Sequence, residues 1–278
     1  MKIKIKDVFV NYEKRGSGFP VLMLHGWGVD HRLLSGALEP VFQMRERDYC
    51  RYYIDLPGMG LSDASDNING SDDMIEYIQV IISELIGNDS FLLIGNSYGG
   101  YLARALVRIM PQKIAGLLLH VPAFKPYKKT ENGFDKGDVP DHIVVETDAP
   151  FMLSLSESEK QAFSHLSVRQ TNDAWQKFKD CIAPGIECAN HDFLENNLGK
   201  NVEFKVDPDV MNRPYGKPVL IVTGRQDSAA GYKGIYSILD NYPRATFAIL
   251  DGCGHNLQTE RSQLFEQLVE DWLDRIEV

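Results

Sequence analysis

The sequence predicts an α/β protein, with a mostly parallel central sheet flanked by helices and an inserted helical cap. Three observations support this fold class. Short, fully apolar runs recur along the chain, helical patterns alternate with them, and the alternation stops over residues 121–212. A chain of 278 residues is long enough for one large α/β domain with such an insertion.

The first strands are expected near the N-terminus. Lys2, Lys4 and Lys6 alternate with isoleucines, which is typical of a half-buried strand with a charged outer face. A second strand is expected over Val10–Arg15, before a glycine-rich turn. Fully buried strands are then expected at six apolar runs: Val21–Leu24, Tyr52–Ile54, Phe91–Ile94, Ile114–Leu119, Val219–Val222 and Thr246–Leu250.

Three helices are expected on the faces of this sheet. Ser71 can cap the first, because two aspartates follow it and isoleucines then recur at helical spacing. The second is expected over Tyr98–Met110, where Pro111 closes it. The third is expected over Glu260–Glu277, which carries leucines at helical spacing.

Residues 121–212 show no convincing buried strand, and we predict that they form a helical cap. The core then consists of residues 1–120 and 213–278. A capping box begins at Ser156, and Gln161–Lys179 carries aromatic residues at helical spacing. We interpret these aromatic residues as packing residues of the cap, since helices use such stripes to pack.

Composition and charge exclude several functional classes. The chain has 29 basic and 39 acidic residues, a net charge of −10, whereas nucleic-acid binding needs a basic face. No window is apolar over the roughly 18 residues of a membrane span, and the N-terminus lacks a signal-peptide pattern. Four cysteines without paired spacing are typical of reduced thiols. We therefore expect a cytoplasmic protein without nucleic-acid or membrane partners and without a metal site.

A candidate nucleophile lies between an expected strand and an expected helix. Residues 95–100 read GNSYGG, a G-x-S-x-G pattern directly after Phe91–Ile94. In this context the pattern is typical of a sharp turn that holds a serine hydroxyl above the sheet, at the positive end of a helix. The pattern therefore predicts Ser97 as a nucleophile. The alternative is a glycine-rich connection with an incidental serine.

A serine hydroxyl needs a base to remove its proton and an acid to orient that base. His255 is the candidate base, because it follows the last expected strand in a turn-rich segment. Asp227 is the candidate acid, because it follows the run Val219–Val222 and comes between Ser97 and His255 in chain order. Asp251 is the alternative acid, although it lies close in sequence to His255.

Two backbone N–H groups are expected to stabilise the negative oxygen that forms during acyl transfer. Tyr98 supplies one, because it immediately follows the candidate nucleophile. Trp27 supplies the other, from the loop after the run Val21–Leu24. The ring of His25 is expected to tie this loop in place rather than to transfer protons.

Four separated motifs, taken in this order, resemble the capped branch of the α/β-hydrolase fold superfamily. They are HGWG at 25–28, DLPGMGLS at 55–62, GNSYGG at 95–100, and GRQD at 224–227 with GH at 254–255. The resemblance covers the chain outside the cap. It implies a serine hydrolase in which Ser97, His255 and Asp227 form the catalytic triad and Trp27 and Tyr98 hold the oxyanion.

The resemblance implies hydrolysis of a small ester, thioester or lactone through an acyl-enzyme, without a metal or organic cofactor. Two alternatives stay open. The elbow is also similar to that of hydrolases that cleave carbon–carbon bonds in aromatic ring-fission products, although Asn256 stands where those usually carry tryptophan. The second alternative is that the chain is a ligand-binding protein that keeps the fold and has only vestigial hydrolase activity.

The expected substrate is a small molecule, and the charge of the predicted cap favours a neutral or apolar acyl compound. Residues 121–212 carry 10 Lys and Arg and 16 Asp and Glu, and 10 − 16 gives −6. A cap of this charge over Ser97 would discourage anionic substrates. The alternative is that these charges form a solvated outer face of the cap. If an anionic substrate is nevertheless preferred, Lys125, Lys128 and Lys129 are its candidate contacts. The oligomeric state has no signature in the sequence.

Overall fold

The computed structural model describes residues 1–125, 128–130, 133–135 and 139–277. Its strands are β1 Lys2–Ile5, β2 Val8–Arg15, β3 Phe19–Leu24, β4 Tyr49–Ile54, β5 Phe91–Asn96, β6 Ile114–His120, β7 Lys128–Thr130, β8 Gly133–Asp135, β9 Glu146–Thr147, β10 Arg169–Gln170, β11 Val219–Gly224 and β12 Ala245–Leu250. Its α-helices are α1 Arg32–Phe42, α2 Ser71–Leu85, α3 Tyr98–Ile109, α4 Ala149–Ser154, α5 Glu157–Ser164, α6 Asn172–Cys181, α7 Ala183–Cys188, α8 His191–Asn196, α9 Lys233–Tyr236, α10 Leu257–Glu260 and α11 Ser262–Glu277. Short 3-10 helices cover Leu198–Lys200 and Leu239–Asn241. No helix within these described ranges is long and apolar enough to cross a membrane.

Eight strands form the central sheet in the order β1-β2-β4-β3-β5-β6-β11-β12. The six strands from β4 to β12 in this order pair in parallel, whereas β1 and β2 are antiparallel to their neighbours. Parallel strands bring their carboxyl ends to one edge of a sheet, where α/β proteins place their sites. The loops after β3, β5, β11 and β12 therefore meet at that edge. The predicted fold class is confirmed.

The central strands are apolar because both of their faces are covered. All residues of β5 and β11 are buried, as their sequence runs predict. The prediction of a fully buried strand over Thr246–Leu250 is wrong, since only Leu250 of β12 is buried. The reason is its position: β12 is the edge strand and pairs on one side only.

Three helical details differ from the sequence predictions. The prediction that Ser71 caps helix α2 is wrong, because the helix begins at Ser71 and Gly70 is in the cap position. The buried Ser71 hydroxyl donates instead to the Val202 carbonyl oxygen, 2.6 Å away. The helix predicted over Glu260–Glu277 is divided, because α10 ends at Glu260 and α11 begins at Ser262. The sequence did not predict α1, which packs against the cap helix α6 and the C-terminal helix α11.

The segment predicted as a cap contains helices α4 to α8 between strands β6 and β11. The capping box predicted at Ser156 is present at the start of α5. The helical stretch predicted over Gln161–Lys179 is two helices, because strand β10 pairs with β9 between them. The side chains of Phe163, Trp175 and Phe178 are buried against one another, as the packing interpretation requires.

Both ends of this segment meet at a buried arginine on α3. The Arg104 guanidinium donates to the carbonyls of Ala123 and Phe124, at 2.7 and 2.5 Å, where the segment begins. It also pairs with Asp209, where the segment ends. Removing one partner of a buried ion pair costs about 3–5 kcal/mol, so Arg104 fixes both connections to the sheet. This contact is consistent with the predicted cap boundaries at residues 121 and 212, which stay a prediction.

Candidate active site

Ser97 lies at the turn between β5 and α3, with φ 51° and ψ −115°. A non-glycine residue held at such a positive φ costs on the order of 1–3 kcal/mol. The glycines around it permit the turn: a Cβ at Gly99 would collide with the Leu24 carbonyl oxygen, and one at Gly95 with the backbone of Gly99. The glycine pattern therefore lets β3, β5 and α3 approach closely. The serine hydroxyl stands at the N-terminus of α3, where the helix dipole favours negative charge.

His255 reaches Ser97 from the loop after β12. Its Nε2 lies 2.9 Å from the Ser97 Oγ. Its Nδ1 faces the carboxylate of Asp227, 2.9 Å from Oδ2 and 3.1 Å from Oδ1. When Nδ1–H donates to this carboxylate, Nε2 is unprotonated and can accept the serine proton.

Asp227 follows β11 and is fully buried. The backbone N–H groups of Ala229 and Ala230 donate to its Oδ1, each at 2.9 Å, and so fix the carboxylate. Asp251, the alternative acid, is exposed and accepts a hydrogen bond from the Gln226 amide at 2.9 Å. The structure therefore brings Asp227, and not Asp251, to the His255 ring.

The pKa of His255 is raised above its ordinary value of 6.5. Burial of the ring opposes protonation, but the charge and hydrogen bond of Asp227, together with the charge of Glu260, outweigh this effect. The same two carboxylates stabilise the protonated form of the ring.

We expect kcat/KM to rise with pH and to reach half its maximum above pH 6.5. Only the neutral ring accepts the serine proton, and the neighbouring carboxylates extend the protonated form to higher pH. Hydrolysis of a neutral aryl ester, measured from about pH 5 to about pH 9, reports this titration in the free enzyme. A profile without an acidic limb would contradict His255 as the base.

The backbone N–H groups of Trp27 and Tyr98 lie beside Ser97. Tyr98 is the first residue of α3, and the first N–H groups of a helix have no partner within it. Gly26 packs on the serine, since a Cβ there would lie 3.1 Å from the Ser97 Cβ, and Trp27 follows directly. Within the described part of the chain neither amide donates to an acceptor. Both amides therefore remain candidate donors to an oxyanion.

The side chain of His25 holds the loop that follows β3. His25 is buried, with Nδ1 2.7 Å from the Gly26 carbonyl oxygen, while its Nε2 accepts the Leu56 N–H at 2.9 Å. Burial lowers the pKa of His25, so its ring is neutral and ties the loop in place, as expected. The partly exposed ring of Trp27 stands edge-on to the Tyr98 ring at 5.3 Å and can contact a substrate.

The cap segment lies against two sides of this arrangement. On one side, Gly254 packs closely against Leu166, since an added Cβ at Gly254 would lie 2.8 Å from the Leu166 carbonyl oxygen. On the other, a Cβ at Gly199 would lie 4.0 Å from the Trp27 ring. The segment predicted as a cap therefore packs beside both the His255 loop and the Trp27 ring.

Two polar residues that the sequence motifs did not indicate lie beneath the site. Asn96 is buried, and its side-chain amide donates to the His120 Nδ1 at 2.8 Å. Burial, reinforced by the nearby His255, lowers the pKa of His120 to about 3, so this ring is neutral. Their positions in the sequence could have indicated them, since each residue ends an apolar strand at the edge of the sheet that carries the site.

Within the part of the chain that the structure describes, one cluster has the residue types of a metal site. Ligand atoms of Asp30, His31 and Asp55 lie within 4.8 Å of one another. The Asp55 carboxylate, however, already accepts two hydrogen bonds from His31, one from the Nδ1 of the ring and one from the backbone N–H. It also accepts the Leu61 N–H. Asp30 pairs with Arg32. Protein donors therefore occupy these carboxylates, and the cluster fixes the loop after β4.

The sequence of residues 20–262 matches the family described as the alpha/beta hydrolase fold. The chain belongs to this family. The eight-stranded sheet and the serine turn after β5 agree with the resemblance found in the sequence motifs, and that resemblance is confirmed.

Two curated relatives of this α/β hydrolase are named for different substrates. A 2-hydroxy-6-oxononadienedioate/2-hydroxy-6-oxononatrienedioate hydrolase of Klebsiella pneumoniae is 26% identical over 92% of this chain and 87% of its own. A pimeloyl-[acyl-carrier protein] methyl ester esterase of Legionella pneumophila is 27% identical over 95% of this chain and 99% of its own. A solved α/β superfamily hydrolase from Oenococcus oeni superposes over both whole chains, with a TM-score of 0.87 and 27% identity. The expectation of a hydrolase is confirmed.

Proposed function

We propose that this α/β hydrolase is a serine hydrolase that cleaves a small, neutral acyl compound: a carboxylic ester, thioester or lactone. The observation that carries the proposal is one hydrogen-bonded line of side chains. The Ser97 Oγ lies 2.9 Å from the His255 Nε2, and the His255 Nδ1 lies 2.9 Å from the Asp227 Oδ2. This geometry supplies a nucleophile, a base and an orienting acid.

In the first half of the proposed reaction, the Ser97 oxygen attacks the substrate carbonyl carbon while the His255 Nε2 takes the hydroxyl proton. Negative charge moves to the carbonyl oxygen, where the N–H groups of Trp27 and Tyr98 stabilise it. Asp227 stabilises the imidazolium and holds the ring in position. The carbonyl then re-forms, and the alcohol or thiol leaves with the proton from Nε2.

In the second half, water hydrolyses the acyl-enzyme. His255 removes a proton from the water, whose oxygen attacks the acyl carbon and forms a second oxyanion at the same two amides. Collapse of this intermediate releases the carboxylic acid and returns the proton to the Ser97 oxygen. Each step uses side chains of the protein and water, so the proposed reaction requires no metal or organic cofactor.

Carbon–carbon bond hydrolysis by the same residues is the second candidate function. The Klebsiella relative, named for such substrates, and the GNSYGG elbow favour it. Asn256 weakens it, because its side chain is buried, with its Nδ2 3.3 Å from the Ser167 hydroxyl, and does not supply an indole. We therefore place ester cleavage first.

The charges around the site favour a neutral substrate. The charges of Asp227 and Glu260, which act on the His255 ring, are negative. The segment 121–212 adds a net charge of −6. Of its candidate basic contacts, Lys125 is exposed beside Phe124, whereas the side chains of Lys128 and Lys129 lie outside the described residues.

We expect kcat/KM for a neutral aryl ester to exceed that of a matched carboxylate-bearing ester by about tenfold at low ionic strength. Added salt should narrow this difference, because it screens the repulsion. The measurement compares kcat/KM for the two esters at low and high salt.

A ring-fission dienoate measured in the same assays separates the two candidate reactions. Faster cleavage of the dienoate than of either ester would favour the carbon–carbon reaction. Preference for the carboxylate ester would reveal a basic site.

A further inference from the structure

Glu260 is a buried carboxylate beside the loop that carries His255. It is the last residue of α10 and is only 8% exposed. Its Oε2 accepts the Gly254 N–H at 2.6 Å, and its Oε1 accepts the N–H groups of Val168 and Arg169 at 2.7 and 3.3 Å. One carboxylate therefore joins the catalytic loop to the cap at strand β10.

Burial raises the pKa of Glu260 above its ordinary value, but hydrogen bonds from three backbone amides favour the ionised form. Both oxygens of Glu260 accept hydrogen bonds from backbone donors, whereas a protonated acid would need an acceptor for its own hydrogen. The nearby Arg169 side chain does not pair with this carboxylate, because it is bound to Glu146 and to the Gly252 carbonyl. The negative charge of Glu260 is therefore held by amides rather than neutralised by a cation within the described residues.

Among the described residues, three titratable groups lie around the His255 ring. Asp227 faces it from the end of β11, Glu260 lies behind its loop on α10, and His120 lies at the end of β6. Burial keeps His120 neutral. The Glu260 charge therefore acts on the ring in the same direction as that of Asp227, but without contacting the ring or a substrate.

We propose that Glu260 is a positioning residue for His255, holding its loop to the cap and adding a second negative charge that favours the imidazolium. The proposal rests on the proposed serine hydrolase function, in which that imidazolium forms as Ser97 attacks. Its two components are separable. The hydrogen bonds set where the ring lies, and the charge sets how readily the ring takes a proton.

The test replaces Glu260 with glutamine and follows the His255 ring by NMR across pH. Loss of the charge should lower the pKa of His255 by about 0.5–1 unit. The new NH2 group must face a backbone N–H, so the loop should also loosen. We expect kcat for an aryl ester to fall about tenfold, with KM nearly unchanged. Asp251→Asn is the matched control, because it removes an exposed carboxylate of the same loop and should change neither quantity.

Glu260→Asp separates the two components and replaces the glutamine variant if that variant does not fold. It keeps the charge but shortens the reach to the three amides, so the pKa of His255 should stay near wild type while kcat falls. An unchanged pKa in Glu260→Gln, or wild-type kcat in Glu260→Asp, would overturn the proposal. The NMR titration needs no turnover, so a wild type inactive toward esters would count against the proposed function and not against this assignment.

Discussion

Replacing Ser97 with alanine is expected to reduce kcat by about 10⁴-fold or more and to leave the fold intact. The hydroxyl 2.9 Å from the His255 Nε2 is the atom that forms the acyl-enzyme, and alanine removes that atom alone. Alanine also keeps the Cβ, so the strained turn at φ 51° is built from the same backbone. The measurement is kcat on a neutral aryl ester, together with the circular dichroism spectrum and Tm of both proteins.

Two controls make this result specific to Ser97. Ser237→Ala changes an exposed serine at the end of α9 and should keep the wild-type rate. A fluorophosphonate probe should label Ser97 alone, as peptide mass mapping would show, because no other serine among the described residues hydrogen-bonds to a histidine ring. A Ser97→Ala protein that keeps half the wild-type rate would refute the nucleophile assignment.

The residues around Ser97 could be predicted because the turn is a local structure. An apolar run, G-x-S-x-G and a helical pattern follow one another within residues 91–109, and each part restricts the conformation of the next. His255 and Asp227 could be predicted from their order along the chain, since each follows an apolar strand. Parallel strands place such loops at one edge, so topology brought these distant residues together.

Contacts across the fold were less accessible to sequence reasoning. Ser71 has the residue type and setting of a helix cap, but its hydroxyl bonds to Val202, which lies 131 residues away in the chain. Glu260 looked like the start of a helix, and its partner Val168 lies 92 residues away. A residue type shows that a buried polar group needs a partner, but only the packing of the cap on the sheet selects which one.

Replacing Asp227 with asparagine is expected to reduce kcat by about 10⁴-fold, and the structure shows why an isosteric change is so costly. The Oδ1 of Asp227 accepts N–H bonds from Ala229 and Ala230, so the amide oxygen of asparagine would stay at that position. The NH2 group would then replace Oδ2, 2.9 Å from the His255 Nδ1. A donor there requires an unprotonated Nδ1, which places the ring proton on Nε2.

A proton on Nε2 points at the Ser97 hydroxyl, and the ring can no longer accept the hydrogen of that hydroxyl. The variant should therefore fold and bind substrate with nearly unchanged KM, yet lose kcat. Asp251→Asn is the matched control: it makes the same substitution in an exposed carboxylate bonded to Gln226, and should keep kcat within about twofold. The measurement is kcat and KM of both variants on one neutral ester. A larger loss in Asp251→Asn than in Asp227→Asn would transfer the role of the acid to Asp251.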